Sequence, residues 1–433
     1  MAPRLPLEVI EHIIDDVARN DDHVVDNNFS SIKACALVCS SFLHLCRKYI
    51  FGYVSLNDPV VWRFASSPTS DDLNRLLSNS PHLAVYIRTL YYHVNKKEFV
   101  TKRFSWLLPM FKKLVRLQKL TIIHKRSVQL DWMQSSERKV LLPLLQLPTL
   151  TSISLVRIRN FPLADLAGCV NLKDLRIRSL GYSNDVGNFL EALPTTPMML
   201  ERLVINGGHA GPLQRLCDAR RPDGKPIIDF SSLKELEIDA EAARLDSMKG
   251  FVEICKNLHK IKLSSMFSPT SSISSSIWCL LLAVGHNRDV LMTYPPDTDF
   301  ESISSVKGLF AMIKPSLPTL VDIDIEYIIE EEANNDPLAG LCHELEKMIG
   351  QNVVETIKVV MWVFPGYDCT RWGELDGVLM GSPDGWPALR KVSLIFNLIE
   401  NDTDKALREL SMTKLVESKR VQFDLAIRYP LSD

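Results

Sequence analysis

The chain has 433 residues, a formal net charge of −2 and 24% charged residues, so no global field advertises a nucleic-acid or membrane partner. Its longest apolar run, Ile277–Val284, is far short of the roughly 20 residues that a membrane-spanning helix needs. The opening MAPRLPLE carries no apolar signal region, and on that reading the nine cysteines are expected to be reduced thiols of an intracellular protein, in cytoplasm or nucleus.

The first fifty residues have the most distinctive pattern. Pro6 suits the first turn of a helix, where its missing N–H would have no partner. Val9, Ile10, Ile13, Ile14 and Val17 follow at helical spacing. The polar stretch Asn20–Asn28 breaks the pattern and reads as a loop. Ser30 or Ser31 can cap a second helix carrying Ile32, Ala34, Cys35, Leu37, Val38 and Cys39. Ser40 or Ser41 can cap a third, with Phe42, Leu45, Cys46, Tyr49 and Ile50. Three short helices hide little surface, and they hold more apolar positions than so small a core can bury. The excess points to a partner surface.

Leu5-Pro6, the following Glu8-Val9-Ile10, and Leu37-Val38-Cys39-Ser40-Ser41-Phe42 resemble the F-box motif. The chain resembles the F-box proteins with degenerate leucine-rich repeats that mushroom-forming fungi carry. The resemblance implies a head that docks on the Skp-type adaptor of a cullin–RING ubiquitin ligase, while the rest of the chain selects a protein substrate. By matching positions, the adaptor contacts fall on Leu5, Pro6, Val9, Ile13, Val38, Cys39 and Phe42. The motif departs from the family in a longer loop at 18–30 and in Tyr49-Ile50-Phe51 where a tryptophan is common.

Phe51–Asn57 alternates and is β-prone, so it is expected to start a sheet. Residues 58–80 read as a linker with a helical piece, Asp71–Leu77, capped by Ser70 or Asp71. From residue 81 a template recurs: an apolar residue, then apolar residues three and five positions later. Its ten copies are Ile87/Leu90/Tyr92, Leu117/Leu120/Ile122, Leu150/Ile153/Leu155, Leu172/Leu175/Ile177, Leu200/Leu203/Ile205, Leu233/Leu236/Ile238, Leu258/Ile261/Leu263, Leu320/Ile323/Ile325, Val354/Ile357/Val359 and Leu389/Val392/Leu394. The spacings are 22 to 35 residues apart from one of 62, which leaves room for a weak copy near Val290–Tyr294. Each copy supplies a strand, and intervening stretches such as Leu338–Ile349 and Thr403–Val416 supply helices. Stacked units of this kind bury a core that none could hide alone. The expected fold is α/β: a three-helix F-box-like head over 1–57, the linker 58–80, and an irregular leucine-rich-repeat-like solenoid over 81–433 with a curved parallel sheet and an irregular insertion at 264–300.

No nucleophile elbow, phosphate loop, dinucleotide fingerprint or zinc-protease helix is present in the sequence. Cys35 and Cys39 lie four apart but have no completing ligand pair, so core packing explains them better. Asp322, Asp324 and Glu326 share one strand face and read as solvated positions with nothing nearby to pair them. No catalysis, cofactor or metal is expected. Residues 96–126 hold ten Lys or Arg against one acid, Glu98, and residues 322–346 hold nine acids and no Lys or Arg. Ser264–Ser276 contains nine Ser or Thr in thirteen residues, a surface loop open to phosphorylation. Alternation places Arg176, Arg178, Glu237, Asp239 and Lys262 outward on the sheet, where charge-assisted bonds would suit a protein target. The sequence thus reads as a non-catalytic ligase adaptor with no nucleic-acid or membrane partner; the alternative is a repeat scaffold that recruits no ligase.

Overall fold

The computed structural model describes residues 6–21, 30–57, 68–94, 104–124, 130–135, 137–166, 168–178, 196–206, 216, 219–220, 223–239, 251, 254–265, 309–329, 337–363, 372–382, 384–398 and 412–428. Three helices come first: α1 (Leu7–Asp21), α2 (Ser30–Ala36) and α3 (Ser40–Ile50). All three touch one another. Ile14, Ala18, Ile32 and Cys46 form their small buried core, with Ile10, Val17, Phe42 and Tyr49 packed half-buried around it.

Two details differ from the sequence expectation. Pro6 sits just before the helix, and its carbonyl accepts from the N–H groups of Val9 and Ile10 at 3.1 and 3.2 Å. The second helix stops at Ala36 because Cys39 is extended, with φ −161° and ψ 171°, and starts α3 without a side-chain cap bond. Leu37 and Val38 therefore form a turn, and Cys35 and Cys39 do not share a helix.

The body is α/β, built on one twelve-stranded sheet. Its strands are β1 (Tyr53–Leu56), β2 (Thr89–Val94), β3 (Lys119–His124), β4 (Ser152–Val156), β5 (Asp174–Arg178) and β6 (Arg202–Asn206). They continue as β7 (Glu235–Asp239), β8 (Lys260–Ser265), β9 (Asp322–Ile329), β10 (Thr356–Val363), β11 (Lys391–Leu398) and β12 (Gln422–Arg428). Strand order follows the chain, and every pair is parallel. All ten template copies supply strands, and Phe51–Asn57 contains β1 as expected. β12 escapes the template because its first position is Arg420, although Phe423 and Leu425 occupy the next two. β8 bonds directly to β9, so the sheet has no position for another strand between them; Val290–Tyr294 lie outside the described residues.

Inward residues of β1 to β11 pack into one large core, while in β12 Phe423 is half-buried and Leu425 exposed. Helices α4 (Ser70–Asn79), α5 (Phe104–Lys112), α6 (Glu137–Leu145), α7 (Leu309–Ile313), α8 (Pro337–Glu346), α9 (Trp372–Met380) and α10 (Thr413–Glu417) contribute to that same core. They contact one another in series, α4–α5–α6 and α7–α8–α9–α10. Thr69, not Ser70 or Asp71, caps α4: its hydroxyl accepts from the Asp72 N–H at 3.2 Å and Asp72 accepts back from the Thr69 N–H at 3.0 Å. A Thr–x–x–Asp box satisfies two helix-end donors reciprocally.

A buried polar knot links α6 to the segment that follows β4. Asp165, 2% exposed, accepts from Trp132 Nε1 at 2.7 Å and from Arg138 Nε and Nη2 at 2.9 and 2.8 Å. Cys169 is buried beside it, and burial, with Asp165 adding repulsion, pushes its thiol up to about 12. Asp165→Ala would leave the buried Trp132 N–H unpaired and Arg138 without its carboxylate. A loss of about 3 kcal/mol in urea unfolding is expected, against less than about 0.5 kcal/mol for Arg75→Ala in the exposed pair with Asp72.

Candidate functional site

Two surfaces stand out. The first is on the head. α1 turns Ile10, Ile14, Val17 and Ala18 toward the small core and leaves Val9 and Ile13, one helical turn apart, 40% and 46% exposed. The turn after α2 leaves Leu37 and Val38 88% and 67% exposed. Cys39 and Pro6 are exposed, whereas Phe42 packs half-buried against the head core. Leu5 lies outside the described residues. Four large aliphatic side chains thus stay in water on a unit whose own core has four buried residues. Leu43 on α3 is also 37% exposed. A polar group ties α1 to α3: Lys48 Nζ bridges Glu11 at 3.0 Å and Asp15 at 2.9 Å, and the Tyr49 hydroxyl donates to Asp15. Burial opposes the Lys48 charge, but these acceptors outweigh it and raise its pKa.

The second surface is the polar face of the sheet. Parallel register aligns Ser55, Tyr91, Thr121, Ser154, Arg176, Val204, Glu237, Lys262, Asp324, Lys358, Ser393 and Asp424 in one row across all twelve strands. Charges alternate along its middle, so neighbours on adjacent strands attract. Glu237 meets Lys262 at 3.6 Å, Arg202 at 3.8 Å and the Asn206 amide at 3.3 Å. Lys262 meets Glu326 at 3.6 Å, Trp362 Nε1 donates to Glu326 at 3.1 Å, and Lys358 pairs with Asp324 at 3.4 Å. Asp324 and Glu326 are therefore paired, contrary to the sequence expectation, because the bases come from the flanking strands. Partial burial works against the Lys262 charge, but Glu237, Glu326 and Asp324 together hold its pKa above the ordinary lysine value.

Of the residues proposed for a target, Arg176, Glu237 and Lys262 share this row. Arg176 is fixed by Asp174, to which its Nε and Nη2 donate at 3.1 and 2.9 Å. Arg178 is exposed at the end of β5. Asp239 ends β7, and its side chain lies outside the described residues. Six of the ten bases of the basic run and four of the nine acids of the acidic run also lie outside them. The Lys262–Glu326 and Lys358–Asp324 links were not legible in sequence, since 64 and 34 residues separate the partners along the chain.

Among the described residues, no group of three His, Cys, Asp or Glu could hold a metal ion, and no helix is long and apolar enough to cross a membrane. The chain matches no protein-family model and no curated protein.

The row makes a stability prediction. Lys262→Met should cost about 1 kcal/mol and Lys262→Glu about 2 kcal/mol in chemical denaturation, the latter placing like charges beside Glu237 and Glu326. Since the folded pKa is raised, this contribution is complete at neutral pH. It is lost only as pH climbs past the unfolded lysine value of about 10.4 and through the folded one.

Proposed function

We propose that the chain is a non-catalytic substrate-recognition adaptor of a cullin–RING ubiquitin ligase. In this reading the head is an F-box that binds a Skp-type adaptor, and the body is an irregular leucine-rich-repeat-like solenoid that binds a target protein. The observation that carries it is the exposure of Val9, Ile13, Leu37 and Val38 on a head too small to bury them. Two of these, Val9 and Ile13, come from one helix and two from the turn before α3. Burying each against a partner contributes up to about 2 kcal/mol, enough together for a stable docking face. The mechanism is positional: holding the target near a ubiquitin-charged enzyme raises its effective concentration, and the bond-forming chemistry belongs to other subunits.

The body supports the reading with one twelve-stranded parallel sheet whose outward row carries charged and polar side chains. The strand sequence stacks in chain order, which suits a solenoid whose ends can hold two partners apart.

Co-purification of the full chain with a Skp-type adaptor and a cullin tests the reading. Val9 and Val38 are exposed, so Val9→Glu/Val38→Glu should keep the circular-dichroism spectrum and melting temperature of the parent. Capture of the adaptor by the parent, with a loss of about 100-fold or more in affinity for the double variant, is expected. A folded parent that captures no adaptor at micromolar concentration would sink the ligase reading and leave a repeat scaffold in its place.

A further inference from the structure

The polar face of the sheet is not uniform. Between β7 and β10 its charges are spent on one another: Glu237, Lys262, Glu326, Asp324 and Lys358 are all held in the contacts above. Between β2 and β5 the opposite holds. The outward side chains of β3 and β4 in the middle row are short, Thr121 and Ser154, while the flanking strands carry the long Tyr91 and Arg176. β2 and β5 are three strand spacings apart, about 14 Å. The result is a trough between a phenol and a guanidinium, with a floor of two hydroxyls in the middle row and of Ile123 and Val156 in the row on the Arg178 side.

Its donors are unspent. Among the described residues, the side chains of Thr121 and Ser154, the Tyr91 hydroxyl, Lys119 and Arg178 make no hydrogen bond or salt bridge. All are at least partly exposed. Lys119 lies in the row next to Thr121 and Arg178 in the row next to Arg176, one on each long side of the floor. Asp174 is already engaged: Arg176 Nε and Nη2 donate to it and the Ser152 hydroxyl donates at 3.1 Å. That clamp fixes Arg176 in place. Tyr91 and Glu237 both lie close enough to act on its charge, after the hydrogen bonds to Asp174.

Lys119 and Arg178 therefore carry charges that no acid among the described residues pairs, beside an Arg176 that Asp174 holds and Glu237 also influences. Hydroxyl, ammonium and guanidinium donors on one sheet face, without acceptors among the described residues, suit an acceptor-rich anion. Three cations are too few to track a nucleic-acid backbone, and the chain as a whole has a formal charge of −2.

We propose that this trough receives an oxyanion side chain, phosphate or carboxylate, carried on an extended segment of a partner protein. The segment runs over Thr121 and Ser154, with the oxyanion between Lys119 and Arg178. This deepens the target-binding role given to the body and rests on that part of the reading alone, since it needs no adaptor on the head.

The test uses the full chain and four fluorescent nine-residue peptide pools, degenerate except at the centre, which is phosphoserine, glutamate, serine or lysine. Binding is followed by anisotropy at low salt, with a single-stranded oligonucleotide as a fifth probe. The phosphoserine or the glutamate pool should bind about tenfold or more tighter than the serine and lysine pools, equivalent to one good charge-assisted contact; which of the two binds tighter identifies the oxyanion. Arg178→Glu and Lys119→Glu should each abolish the preference, while Lys358→Glu, outside the trough, should retain it. All three sites are partly exposed, and melting temperatures check folding. Equal binding of the four pools, a preference that survives Arg178→Glu, or tighter binding of the oligonucleotide than of any peptide would each overturn the proposal. An adaptor that fails to bind Val9 and Val38 leaves this result untouched, so the two readings fail separately.

Discussion

One backbone device sets the register on which the rest depends. The carbonyl immediately before a strand accepts two successive N–H groups from the start of the next strand. Arg88 does this for Gln118 and Lys119, Gln118 for Thr151 and Ser152, Lys173 for Glu201 and Arg202, and the pattern runs on to Glu355, which holds Arg390 and Lys391. Each strand is thus locked to its neighbour at the same point of the repeat. A slip of one residue would turn every apolar side chain outward. The lock keeps Leu120, Ile153, Leu175, Leu203 and Leu236 in one buried line, and it holds the charged row in step on the other face.

Parallel sheets are ordinarily covered on both faces and read as continuous apolar runs. These strands alternate instead, DLRIR in β5 and ELEID in β7. Alternation sets the main core on one side, where the helices contribute, and makes the other side largely polar, with Val204 and Ile395 as buried apolar exceptions. The polar side is kept from repelling itself by placing opposite charges on adjacent strands. The same economy explains why the acids of β7 and β9 are poor candidates for capturing a partner, while Lys119 and Arg178 make no ion pair among the described residues.

Head and body have separate cores but are joined closely. α3 ends at Ile50 and β1 begins at Tyr53. Between them Gly52 fits where a Cβ would press into the Lys48 carbonyl oxygen, and its own carbonyl accepts the N–H groups of Arg88 and Thr89 at 3.0 and 2.9 Å. The joint thus belongs to the same carbonyl ladder as the sheet. α3 also reaches the 3₁₀ turn Pro81–Tyr86, where His44 and Tyr86 lie 3.3 Å apart. The exposed aliphatic residues of the head are therefore presented from a unit anchored at both its chain exit and its side.

The sequence by itself determined the strands. A spacing of three and then two between apolar residues places all three on one side of a turn and strand, and ten such triplets fixed ten strands and the parallel class. It also showed that the head holds more apolar residues than so small a core can bury, but it placed Val9 and Ile13 on the same stripe as Ile10, Ile14 and Val17, and only the packing of α2 and α3 decided which edge of that stripe stays exposed. β12 was hidden because Arg420 occupies an apolar position whose burial is dispensable at the last strand. The end of α2 was hidden because only the extended backbone of Cys39 marks it. Tertiary structure alone decided which charges are spent. Lys262 and Glu326 are far apart in sequence and meet only because β8 and β9 are neighbours in the sheet. Whether an arginine is paired or free depends on what register sets beside it, and that is a property of the assembled sheet rather than of any one strand.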